Sequence, residues 1–83
     1  MEDYNKIQKL LKKDYMPIIY KNIKKFRLES GMSLIDVAEI LDMSYDYLRR
    51  VESNNDSVKT CSLKLLIKFS ILYQKNLGDF LEE

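Results

Sequence analysis

The segment Ser33–Glu52, SLIDVAEILDMSYDYLRRVE, constrains this chain more than any other. It holds two serine-capped helical stretches joined by a tight turn. In the first, Ser33 precedes the helix and Asp36 stands three residues on, a capping-box spacing. Val37, Ala38 and Leu41 make its apolar face. After the turn at Asp42-Met43, Ser44 caps the second stretch. There Leu48 and Val51 point one way, while Tyr45, Asp46, Arg49, Arg50 and Ser53 share the opposite arc of the helical wheel. The apolar face needs a body to pack on. The polar, aromatic and cationic face finds no partner inside the domain, which is the division required of a helix that enters a partner's groove.

The rest of the chain builds that body. Two glycines and one proline in 83 residues leave few breaks. Tyr4, Ile7, Leu10, Leu11 and Tyr15 recur at helical spacing among lysines and predict a short amphipathic helix. Pro17 ends it and suits the first turn of the next helix, about 17–29, with Ile19, Ile23 and Phe26 inward. Gly31 suits the left-handed residue that terminates that helix. Residues 53–57 form a loop by composition. Ser62 begins a fourth helix, where Leu63, Leu66, Ile67, Ser70 and Ile71 alternate at helical spacing with Lys64 and Lys68. Asn76 can cap a last short helix holding Leu77, Phe80 and Leu81. No run alternates with period two, so no strand is expected. The expected fold is all-α: five helices with an additional short N-terminal helix. Residues 1–16 form the amphipathic extension, residues 17–83 the domain, and about 33–54 the two-helix unit.

Composition bounds the function. An apolar content of 46% and a charged content of 33% fit a soluble globular domain. The start MEDYNK has no apolar signal region, and runs such as Leu65-Leu66-Ile67 are far too short to span a membrane. A cytoplasmic protein with no membrane partner is expected. Cys61 is the single cysteine and there is no histidine, so no internal disulfide, metal site or cofactor is expected. An enzyme is not expected either, because no paired carboxylates or phosphate-cradling glycine loop occur.

Net charge is +1, but it is unevenly spread. Residues 1–30 hold 8 Lys/Arg against 4 Asp/Glu, and residues 31–60 hold 3 against 6. The basic end is thus not the end that carries the two-helix unit. The outward face of that unit nevertheless has the chemistry of base recognition. Arginine takes guanine bidentately, aspartate accepts from the cytosine amino group, and tyrosine contacts a thymine methyl or a phosphate. Helix N-termini offer free backbone N–H groups to phosphates.

These stretches resemble the lambda repressor-like, Cro/C1-type (Xre) helix-turn-helix domain. The matching text is NIKKFRLESGMS (22–33), LIDVAEILDMS (34–44) and YDYLRRVE (45–52), followed by SLKLLIKFSILYQKNLGDFL (62–81). The resemblance spans about residues 18–81. It implies sequence-specific binding of double-stranded DNA by a transcriptional regulator, as a homodimer on a two-fold site, with a recognition helix at about 45–53 in the major groove. Base-contacting positions then fall on Ser44, Tyr45, Asp46, Arg49 and Arg50. Phosphate-contacting positions fall at Ser33, Leu34, Tyr47, Lys59, Thr60 and Ser62. Arg27 and Glu52 take the places of a structural ion pair. The chain departs from the family at Leu34, where glutamine is common, at Asn54 in place of the loop glycine, and at the acidic Asp56. Ile35 and Ile40 stand where polar residues are usual. With the acidic balance of residues 31–60, these departures keep an alternative open: a protein-interaction module on the same fold, an antagonist that pairs with a related regulator.

Overall fold

The computed structural model of this protein describes residues 4–8, 15–53 and 61–83, and all of its regular structure is helical. Residues 4–8 are helical, with Tyr4 and Ile7 exposed. Four α-helices follow: α1, Met16–Ser30; α2, Leu34–Ile40; α3, Tyr45–Glu52; and α4, Leu63–Tyr73. The chain closes with a 3₁₀ helix, Leu77–Leu81, where a fifth helix is expected.

Each boundary has a local cause. Pro17 lies in the first turn of α1, where its missing N–H is no loss. Gly31 ends α1 with φ 75, a left-handed conformation that a Cβ disfavours, and its N–H donates to Leu28 O at 3.2 Å. The Asp36 N–H donates to Ser33 Oγ at 3.1 Å, and the Ser33 N–H donates to Asp36 Oδ2 at 3.4 Å, closing a capping box at α2. Ser44 and Ser62 cap α3 and α4 by accepting from the N–H groups of Tyr47 and Leu65. The turn between α2 and α3 passes through Asp42 at φ 52, a left-handed position that aspartate tolerates better than most residues. Met43 N–H then donates to Ala38 O at 2.9 Å and sets the sharp bend.

One core unites the helices. Ile23 of α1, Val37 of α2, Leu48 and Val51 of α3, Phe69 of α4 and Phe80 of the 3₁₀ helix are all fully buried. The Phe26 and Phe80 rings meet edge to face at 5.0 Å, and Phe69 stacks on Tyr73 at 5.8 Å. α1 packs on α3, α4 and the 3₁₀ helix, which gather around it, while α2 packs on α3.

Two sequence expectations are corrected here. The inward face of α4 is Leu65, Phe69 and Tyr73, whereas Leu63, Ile67 and Ile71 are exposed. The stretch LKLLIKFSILY is apolar almost all round, so spacing alone does not select a face; the bulky aromatics one turn apart fill the space beside α1. The last short helix, expected to hold Leu77, Phe80 and Leu81 alike, buries Phe80 and leaves Leu77 and Leu81 exposed. No helix among the described residues is long and apolar enough to cross a membrane.

Candidate nucleic-acid interface

α3 is seated by its apolar side and by one ion pair. Leu48 and Val51 are fully excluded from water, which at about 1.5–3 kcal/mol for each side chain fixes the rotation of the helix. At its C-terminal end, Arg27 Nε donates to Glu52 Oε2 at 2.7 Å and to Oε1 at 3.0 Å. Arg27 Nη1 also donates to Met32 O at 2.8 Å. Both residues are buried, and removing one partner of such a pair strands a charge away from water. The pair therefore ties α3 to α1 and to the turn after it.

With that side fixed, the opposite side faces solvent. Tyr45, Arg49 and Arg50 are exposed, and Tyr47 exposes part of its ring. Ser44 is exposed at the start of the helix; its Oγ is engaged as a cap acceptor while its O–H remains a donor. The outward face of α3 is not unpartnered, as its sequence suggests, because Asp46 on the same face binds both arginines. Its Oδ1 accepts from Arg49 Nη2 at 2.9 Å and its Oδ2 accepts from Arg50 Nη2. The Arg49 hydrogen bond, then the Arg50 one, hold the Asp46 carboxyl below its usual range. The spacings i, i+3 and i, i+4 are a sequence signal that would have revealed this clamp.

The other expected contact residues lie on other elements or outside the described residues. Ser33 stands exposed at the N-terminus of α2, and Leu34 is half-buried against the core rather than projecting. Ser62 is exposed at the N-terminus of α4. Lys59, Thr60, Asn54 and Asp56 lie outside the described residues, as do Leu10 and Leu11. Beside them, Cys61 is half-buried, and burial pushes its thiol up.

A cleft of about 180 Å³ is lined by Lys24, Arg27, Leu34, Arg49, Glu52 and Ser53. It gathers Lys24 of α1 beside Arg49 of α3. Sequence patterning left Lys24 among the general run of N-terminal lysines; its place one turn before Arg27 is the signal that sets it apart. Arg27 is engaged by Glu52 and Arg49 by Asp46, so Lys24 adds a further positive charge to that cleft. Ile35 and Ile40 lie exposed on α2 next to the exposed Asp36 and Glu39.

A family model described as Helix-turn-helix matches residues 23–80, which takes in the second half of α1 and runs on through Phe80. No curated protein and no solved structure matches the chain.

Proposed function

The chain belongs to the Cro/C1-type, lambda repressor-like helix-turn-helix family, a DNA-binding family, and from that premise we propose that it is a sequence-specific regulator of transcription that reads double-stranded DNA with α3. The observation that carries the reading is the two-sidedness of α3. Leu48, Val51 and Glu52 lock one side into the body, which leaves Tyr45, Asp46, Arg49 and Arg50 standing together on the other. In this reading Arg49 and Arg50 take base edges in the major groove, and Ser44, Tyr45 and Asp46 refine the choice of sequence. Ser33, Leu34 through its backbone, Tyr47, Lys59, Thr60 and Ser62 hold phosphates, and Lys24 joins them at the cleft beside Arg49. Two copies on a two-fold site would place recognition helices about one DNA turn apart.

The test is selection of binding sites from random duplex DNA by the purified chain, followed by titration of the selected site at several salt concentrations. A defined site, bound with an affinity that falls steeply with salt, is the expected result. Arg50→Ala should weaken that site by about 1–3 kcal/mol and relax preference at one base position. Equal loss on selected and random duplex would remove the base-reading role of Arg50 and leave it a phosphate contact. A chain that binds no duplex even at low salt would favour the interaction-module alternative, which the exposed Ile35 and Ile40 beside Asp36 and Glu39 support.

A further inference from the structure

Arg49 and Arg50 are the cations on which the reading face depends, and both are already engaged. Asp46 precedes them by three and four residues, so a single carboxylate reaches both guanidinium groups. All three side chains are about half exposed, which leaves the pairing open to exchange with an incoming ligand. We propose that Asp46 determines specificity as an internal counter-anion: it occupies both arginines in the free chain and yields them only to a DNA site that also supplies its carboxylate with a donor. The proposal rests on the DNA-binding reading above.

Its basis is what each kind of ligand gives back. A phosphate exchanges one anion for another at the guanidinium and leaves Asp46 ionised, unpaired and beside a polyanion. A base-pair edge differs. Guanine O6 and N7 hold an arginine by two hydrogen bonds, and the amino group of cytosine or adenine donates to a carboxylate. Phosphate along random duplex therefore offers the arginines a partner and Asp46 none, whereas two guanines next to an exposed amino group satisfy all three. Residues 31–60 hold 6 acids against 3 bases, so this part of the chain has little other positive charge with which to cling to random DNA. Asp46 thereby turns a weak cationic face into a discriminating one.

The experiment compares wild type with Asp46→Asn on a selected duplex and on a scrambled duplex of equal length, across salt. Asp46→Asn should bind the scrambled duplex several-fold more tightly, with a salt slope steeper by about 1–2, as expected for one or two added phosphate contacts. It should bind the selected site no better, so the specificity ratio falls by about fivefold or more. An equal change on both duplexes, or weaker binding to the scrambled one, overturns the proposal. A second readout needs no DNA. Titration of the Asp46 carboxyl by carbon NMR should lie below the ordinary aspartate range in wild type and return to it in the Arg49→Gln, Arg50→Gln double variant. An ordinary value in wild type overturns the clamp itself. Failure of wild type to bind any duplex overturns the DNA-binding reading and the selectivity role together, while the titration still reports whether the carboxylate holds the arginines.

Discussion

At the scale of single residues, two buried polar groups of this domain are handled in opposite ways. The Arg27 guanidinium meets both oxygens of Glu52 and a backbone carbonyl, so its desolvation is offset by strong, charge-assisted hydrogen bonds. The Tyr73 hydroxyl is buried with no hydrogen-bond partner among the described residues. Burial, then the nearby charge of Glu52, push its phenol above the ordinary tyrosine range, against a smaller opposing effect of Arg27. An unsatisfied buried hydroxyl costs about 1–3 kcal/mol, so Tyr73→Phe should raise stability at neutral pH by an amount of that order while keeping the stacked ring on Phe69. The pH dependence has a definite sign. A phenol whose folded pKa is raised keeps its proton in the native state, so its contribution is intact below the unfolded value of about 10 and is lost as pH rises beyond it. The stability gap between Tyr73→Phe and wild type should therefore widen above pH ~10, as read by denaturant unfolding at pH 7 and in the alkaline range. A variant less stable than wild type at pH 7 would mean that the hydroxyl has a partner.

At the scale of elements, the helices differ in how strongly their own sequences orient them. α3 has two clearly separated faces, so the burial of Leu48 and Val51 follows from its pattern. α4 has apolar residues on every side. Its rotation is settled by Phe69 and Tyr73 stacking beneath α1, which leaves Ile71 73% exposed. Phe69→Ala should cost about 3–5 kcal/mol, because the cavity forms where nothing can collapse into it. Ile71→Gln should change stability by no more than about 0.5 kcal/mol. Thermal unfolding of both variants checks the assignment. Comparable losses at the two positions would mean that α4 is rotated from the orientation described here.

At the scale of the whole molecule, a long-range contact ties the 3₁₀ helix and Glu82 after it to α1. Asn22 in α1 donates through Nδ2 to Phe80 O and to Glu82 O, each at 2.8 Å, across 58 and 60 residues of sequence. These bonds hold the 3₁₀ helix in place while Phe80 fills the core against Phe26. Asn22→Ala leaves the Phe80 and Glu82 carbonyls without these donors and should lower stability by about 1–3 kcal/mol. Amide hydrogen exchange should quicken first at Glu82, whose N–H donates to Asp79 O, before the amides of α1 follow. Uniform quickening along the chain would mean that the C-terminal turn does not open separately. The same distinction of range explains what was legible beforehand. The caps at Ser33, Ser44 and Ser62 each join a side chain to a backbone N–H three residues on, so a short stretch of sequence suffices to write them. The all-helical class and the two faces of α3 arise from periodicity within single helices. The Asp46 clamp is equally local, since its three- and four-residue spacings to Arg49 and Arg50 are written in the sequence, but the same arc of side chains also suits an outside ligand, so pattern alone does not show the charges paired. The buried face of α4, the enclosure of Phe80 and the bonds from Asn22 depend on residues far apart in the chain, which meet only once the helices pack. By itself the sequence determined helices, caps and the outward face of α3, because those interactions close within a turn or two. Only the tertiary structure decided which side of α4 is core and how the chain end is held, because an apolar stretch without a polar face takes its orientation from its neighbours.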